Sequence, residues 1–345
     1  MPPGLPNRLK LAARILIKGD FNPSSQRENI PDISPEEIAQ IKQFFPMEKF
    51  FIYGHARSGT TLLARLVRLH PEVHCNWQGH FFTRQPFLQS LVKNTEVGIW
   101  LSRRSNRWNQ GKDLSPMILR GACDLILERE AHQVGKCIVG DKSPNSLVDA
   151  EAVRLMHKVY PDAHLVYIVR DGRDAILSHR FQTFIDADKH LSEEDLSIRD
   201  AFIRNPESFL IGKRSIFTRR GIRRAAEGWV RNVLETDQAG RKIFVERYLS
   251  LRFEDLLKEP WKEISRIWSF LGASVAGPEL ENSVQQELKQ NPDADWQQQK
   301  ASQIALLPLQ KGKSGSWRVM FTSQDRLIFN EIAGETLHDW GYPTD

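Results

Sequence analysis

Residues Phe50 to Val73, FFIYGHARSGTTLLARLVRLHPEV, constrain this chain more than any other stretch. The apolar run Phe50-Phe51-Ile52-Tyr53 predicts a buried strand, and Leu62, Leu63, Leu66 and Leu69 recur at helical spacing. Between them lies a loop from Gly54 to Gly59. A strand that turns through a glycine loop into a helix gathers the first helical N–H groups and the positive helix end at one point. Such a point attracts an anion. The segment therefore predicts an oxyanion cradle made of backbone N–H groups from Ser58 to Leu62, the hydroxyls of Thr60 and Thr61, and the charge of Arg57. An ordinary Gly-Thr turn is the alternative, and the strand before it and the helix after it speak against that.

The spacing Gly54-x4-Gly59-Thr60-Thr61 resembles the P-loop pattern G-x-x-x-x-G-K-[ST], with Thr60 where the lysine belongs and the basic residue moved to Arg57. A nucleoside triphosphatase uses that lysine on its β- and γ-phosphates, with magnesium between them. A site for a terminal sulfate or monophosphate needs neither. Arg57-Ser58-Gly59-Thr60-Thr61-Leu62 resembles the 5′-phosphosulfate loop of sulfotransferases, which use 3′-phosphoadenosine 5′-phosphosulfate (PAPS) and release adenosine 3′,5′-bisphosphate (PAP). His70-Pro71-Glu72-Val73 is similar to the stretch after that loop in the tyrosylprotein and heparan-type enzymes. The resemblance runs from Phe50 to Phe321 and implies metal-free transfer of a sulfuryl group to a hydroxyl or amine.

The rest of the chain is compatible with that fold. Strands are expected at Cys137–Gly140, His164–Val169 and Tyr248–Phe253, with helices at Pro116–Gln133, Ala150–Tyr160, Trp261–Leu271 and Ser323–Trp340. Strands alternating with helices predict an α/β fold, a P-loop-type parallel sheet flanked by helices, with ligands at the strand C-termini. The cradle, Lys142 and Arg170 all fall at such ends. A helix start stands at Ser34-Pro35-Glu36-Glu37, with Ser as N-cap, Pro at N1 and Glu at N3. Residues 1–47 read as a short helical N-terminal appendage and linker, in which Leu9 to Ile17 form a surface helix; residues 48–345 read as one domain. Cys75 to Phe82 is expected as a polar, aromatic loop, and Asn282 to Gln303 as an excursion. Arg199 to Arg224 carries eight Lys/Arg against Asp200 and Glu207, a solvated face or an acceptor-facing surface.

The resemblance assigns roles residue by residue. It places Lys142, in Asp-Lys-Ser-Pro, on the sulfuryl group, and Arg170 with Ser178, eight residues on, at the 3′-phosphate. Arginine suits bidentate contact with a phosphate monoester. The alternative for Val-Arg-Asp-Gly-Arg-Asp is a charged turn in which Asp171 or Asp174 pairs with an arginine, and both can hold together. Lys311, Gly312 and Lys313 resemble a basic glycine loop over the same phosphate, and Trp229 stands where relatives carry an aromatic near the adenine. One residue departs from the pattern: Gln78 occupies the position of the relatives' basic glutamate, and an amide does not take up a proton usefully. His80, with an ordinary pKa of roughly 6.5, becomes the expected general base, and Asp141 is a further candidate. The competing readings are a P-loop kinase that uses Arg57 and Lys142 in place of the missing lysine, and a non-catalytic PAPS or PAP binder.

Composition narrows the setting. Of 345 residues, 40% are hydrophobic and 26% charged, the balance of a globular chain, and the formal charge of +5 suits an anionic ligand. Three cysteines are too few for a disulfide framework or a zinc ligand set. No run of 18 apolar residues stands in the sequence, and no cleavage-site pattern follows Ile17. Together these predict a cytoplasmic protein without a transmembrane anchor, and the resemblance implies that it binds no nucleic acid and no metal. The acceptor, a tyrosine, sugar, phenol or lipid hydroxyl, and the oligomeric state are not written in these motifs.

Overall fold

The structure, a computed structural model, describes residues 30–84, 92, 94–103, 105, 107–145, 147, 150–186, 191–274, 277–290 and 314–344. Five strands, β1 (Glu48–Tyr53), β2 (Val73–Trp77), β3 (Ile138–Lys142), β4 (His164–Val169) and β5 (Tyr248–Arg252), form one parallel sheet in the order β2-β3-β1-β4-β5. The order reverses at β1: β3 lies on one side and β4 on the other. In an open α/β sheet that crevice is where ligands gather, and the loop from Gly54 to Gly59 leaves β1 there.

Twelve helices matter below: α1 (Pro35–Lys42), α2 (Thr60–Val67), α3 (Thr95–Ser102), α4 (Ser115–Gln133), α5 (Glu151–Val159), α6 (Gly172–Asp186), α7 (Glu193–Arg204), α8 (Arg219–Phe244), α9 (Phe253–Lys258), α10 (Pro260–Phe270), α11 (Pro278–Gln290) and α12 (Ser323–Asp339). Side chains alternate across each strand, and this divides the core in two. Phe51, Tyr53, Leu165, Tyr167 and Val169 face α4, α5, α6, α8 and α12. Phe50, Ile52, Val166, Ile168 and Leu251 face α2, α9, α10 and α11. The predicted cap at Ser34 is a complete capping box with Glu37.

Two expectations are corrected. Cys75 to Trp77, expected as the start of a polar loop, belong to an edge strand, Val73–Trp77, paired with β3 from Val73↔Ile138 to Trp77↔Lys142. Its His and Asn hid it in the sequence. The structure accommodates them because Asn76 Nδ2 donates to Leu127 O (3.2 Å) and His74 Nε2 lies 3.3 Å from Glu130 of α4. The first part of the expected excursion from Asn282 is helical, in α11; residues 291–303 lie outside the described residues, as do the expected surface helix at Leu9–Ile17 and the basic triplet Lys311, Gly312 and Lys313. The three cysteines are unbonded, with Cys75 and Cys123 buried and Cys137 exposed. Among the described residues no helix is long and apolar enough to cross a membrane.

Candidate functional site

The loop after β1 is shaped by backbone constraints that its sequence meets. A side chain at Gly54 would place Cβ 2.7 Å from Ile168 O, and one at Gly59 would lie 2.2 Å from the ring of Phe253. Gly59 also has φ of 89°, in the left-handed region that favours glycine. Arg57 shares that region, with φ of 71°. Ser58 N–H donates to His55 O (3.1 Å), so the expected row of cradle donors loses its first member to the turn. The helical bonding of α2 begins with Leu63 N–H on Gly59 O (3.0 Å), so the N–H groups of Thr60, Thr61 and Leu62 precede any carbonyl of their own helix. Ser58 Oγ is buried with no bond to any described residue. An orphaned buried hydroxyl beside open helical donors fits a group rich in anionic oxygens.

Cations converge on this loop. Arg57 Nε donates to Ser178 Oγ on α6 (3.1 Å), and Arg170 Nη1 donates to Arg57 O (3.1 Å). The guanidinium of Arg170 stacks 4.9 Å from the ring of Phe253, the same ring that closes on Gly59. From β3, Lys142 reaches Thr61 Oγ1 with its Nζ (3.1 Å) while only 1% exposed, and lies 5.3 Å over the Trp77 ring. Arg57, Thr61, Lys142, Arg170 and Ser178, far apart in sequence, thus form one connected patch.

Trp229 belongs elsewhere. Its ring is wholly buried against Gly172 and Phe329, and its Nε1–H donates to Arg170 O (3.2 Å). It presents no face to an adenine; it steadies the strand end that carries Arg170. The charged turn after β4 is also real: Asp171 accepts from Arg173 Nε (2.9 Å) and Nη2 (2.8 Å). Asp174 accepts from Gly315 N–H (2.6 Å) and Trp317 N–H (3.1 Å), which ties the chain after the basic triplet to the start of α6.

Beyond the end of β2, Gln78 is exposed and His80 half-buried, both with positive φ, 50° and 49°. His80 Nδ1 bonds Thr83 Oγ1 (2.8 Å). Burial, with Arg84 and Lys142 nearby, lowers the His80 pKa to about 4. The imidazole is therefore neutral at neutral pH and able to accept a proton, but it does not titrate in the range the sequence predicts. Asp141 is pushed up to about 6 by burial, yet its oxygens already accept from Gly79 N–H (2.8 Å) and Ser143 Oγ–H (2.5 Å). That engagement makes it a poor base for an incoming acceptor.

The sequence reading missed Phe253, Trp77 and Ser143. Each acts through a tertiary contact, and the only local signal is position just before or after a strand end. The basic stretch after α7 contributes Arg219, Arg220 and Arg223, which with Gln324, Ile328 and Glu331 line an open cleft of about 440 Å³ between α8 and α12.

Residues 49–277 match the sequence model of the sulfotransferase family. Protein-tyrosine sulfotransferase A of Caenorhabditis elegans is 30% identical over 133 residues, 37% of this chain and 32% of that protein. The match thus spans about a third of the length of that curated relative. Among solved structures, the mouse sulfotransferase SULT7A1 complexed with PAP aligns with a TM-score of 0.46 and 16% identity over 89% of this chain and 90% of that one. Retinol dehydratase in a complex with retinol and PAP aligns with a TM-score of 0.45 and 19% identity over 91% and 98%.

Proposed function

The chain belongs to the sulfotransferase family, and from that membership we propose that it moves the sulfuryl group of PAPS to a hydroxyl or amine acceptor by metal-free in-line displacement. When bound, PAPS supplies an activated sulfur on a good leaving group. What the chain does is position and stabilise charge. The N–H groups of Thr60, Thr61 and Leu62, with Arg57, Ser58 and Gly59 of the loop, hold the 5′-phosphosulfate. Lys142, poised on Thr61, takes charge on the sulfuryl oxygens, and Arg170 with Ser178 takes the 3′-phosphate, to which the resemblance adds Lys311, Gly312 and Lys313. His80 Nε2, with Nδ1 anchored on Thr83, accepts the acceptor's proton as the new S–O bond forms and PAP leaves, and then releases it to solvent.

One observation carries this reading. Arg57 joins both halves of the site, with its side chain on Ser178, its carbonyl on Arg170, and its loop opening the α2 N-terminus. The kinase alternative needs a carboxylate for magnesium after a strand, and Asp171 has both oxygens held by Arg173. The non-catalytic alternative has one observation in its favour, the exposed amide of Gln78. The test is incubation with PAPS and a panel of tyrosine peptides, sugars, phenols and lipid alcohols, read by mass spectrometry, beside calorimetry with PAP. Gain of one SO3 on an acceptor is expected. PAP binding with no sulfated product favours the non-catalytic reading, and no PAP binding removes both.

A further inference from the structure

The loop that carries Gln78 and His80 is held by a buried carboxylate that neither the donor cradle nor the proton step uses. Asp141 is 1% exposed and sits one residue before Lys142 on β3. Its Oδ1 accepts from Gly79 N–H (2.8 Å), and its Oδ2 accepts from Ser143 Oγ–H (2.5 Å). Ser143 Oγ in turn accepts from His80 N–H (2.9 Å), while Gln78 N–H donates to Lys142 O (2.8 Å). Three successive amides of the loop are therefore tied to three successive residues, Asp141 and Lys142 at the end of β3 and Ser143 just after it. The tie is needed: Gln78 and His80 both adopt left-handed backbone, which favours glycine. The fit is also close. A side chain at Gly79 would place Cβ 2.6 Å from the Phe81 ring and 3.1 Å from Asp141 Oδ1.

We propose that Asp141 is a positioning residue which, directly and through Ser143, fixes the acceptor-side loop from Gln78 to His80 in register with Lys142. The inference rests on the reading of this edge as the transfer site. A carboxylate suits the task because it accepts at two oxygens at once, and alanine accepts at neither. The residue before Lys142 thus sets where the acceptor's proton is received, and Lys142 sets where the sulfuryl group lies.

The arrangement depends on pH in a definite direction. Burial holds the Asp141 pKa at about 6, above the ordinary carboxylate range. The groups around it are Lys142 beside it, Tyr53 on β1, Cys75 on β2 and Cys123 on α4; the phenol and both thiols are pushed further into their neutral forms by burial. Below pH 6 the carboxyl gains a proton and its Oδ2 no longer accepts from Ser143, so the His80 end of the loop, held through Ser143, is fully fixed above pH 6 and loosens as pH falls through it, while the Gly79 bond to Oδ1 stays. The folded state binds the proton more tightly than the unfolded one, so ionisation of Asp141 opposes folding above pH 6. Asp141→Asn removes that opposition.

The test combines amide-resolved hydrogen exchange, PAP calorimetry and thermal melting on the full chain. In the wild type, protection of His80 should fall at least tenfold between pH 7.5 and pH 5, after correction for intrinsic exchange, while that of Gly79, which keeps a carbonyl oxygen, holds. Asp141→Ala should lose both protections at every pH. Ser143→Ala should lose that of His80 and keep that of Gly79. Asp141→Asn, which still offers Oδ1 to Gly79, should keep Gly79 protected, lose the pH dependence, and melt no lower than the wild type at pH 8. With any acceptor found in the screen above, KM should rise tenfold or more in Asp141→Ala while PAP affinity holds. Unchanged protection in Asp141→Ala, or an unchanged acceptor KM, overturns the proposal. Loss of PAP binding by the wild type itself overturns the underlying reading instead, and the exchange pattern still reports on the loop.

Discussion

The two ends of the sheet use charge in opposite ways. At the N-terminal end of β1, Lys49 lies 2.7 Å from Glu128 and 3.5 Å from Asp124, all of them buried. Arg120 binds Asp162 through both terminal nitrogens (2.5 and 2.9 Å), and the Tyr160 hydroxyl donates to Asp124 (2.8 Å). At the C-terminal end, Arg57, Arg170 and Lys142 bond a hydroxyl, a carbonyl and a hydroxyl: Ser178 Oγ, Arg57 O and Thr61 Oγ1. A neutral oxygen orients a cation, and a sulfate or phosphate oxygen is a stronger acceptor for it. The first network locks α4 to the strand starts; the second gathers three cations at the loop before α2. Similar residue types become mortar or site according to what they face.

Breaking the first network should have the largest effect, on stability. Glu128→Ala leaves Lys49 buried without its closest carboxylate, and should lower unfolding free energy by roughly 3–5 kcal/mol in denaturant titration. The joint change Lys49→Met/Glu128→Leu should recover most of that loss, because an apolar pair removes both desolvation penalties. PAP affinity of the folded fraction should stay within about twofold, since the two networks stand at opposite ends of the strands. Breaking the second network should do the reverse. Arg57→Ala is expected to slow transfer by a hundredfold or more, about 2.7–4 kcal/mol of barrier, with little change in melting temperature. Wild-type turnover in that variant takes Arg57 out of the mechanism.

Smaller effects sharpen the map within the site. Arg170→Ala should weaken PAP by about 1.5–3 kcal/mol and Ser178→Ala by about 0.5–1.5, while adenosine 5′-phosphate, which lacks the 3′-phosphate, hardly changes. Equal weakening of both nucleotides would mean that the pair only braces Arg57. The pH profile separates His80 from Asp141. With the imidazole pKa at about 4, kcat/KM should show no imidazole limb at pH 6–7. The step near pH 6 that belongs to Asp141 should persist in His80→Ala, on a rate lowered by roughly a hundredfold, and vanish in Asp141→Asn.

Much of this could be read from the chain, for physical reasons. The strand, glycine loop and helix around Arg57 are local, and local sequence carries them: apolar run, glycines where a Cβ would clash, leucines at helical spacing. Arg170 and Lys142 were legible because strand C-termini meet at one edge of a parallel sheet. β2 was not, because Asn76 finds its partner on α4, at Leu127, 51 residues on. Trp229 was placed at the adenine by analogy alone, and packing puts it beneath Arg170. The lowered pKa of His80 comes from burial and neighbouring cations, which no reference value for a free imidazole contains. The brace of Asp141 and Ser143 on Gly79 and His80 likewise joins positions more than sixty residues apart.

The measurement that bears most directly on the whole account is calorimetric titration of PAP into the chelator-treated wild type, and then into Arg170→Ala. A site built to hold a 3′-phosphate and a 5′-phosphosulfate without metal predicts saturable binding in the first case, and binding weaker by at least about tenfold in the second. No heat with PAP, beside saturable binding of ATP with magnesium, would contradict it.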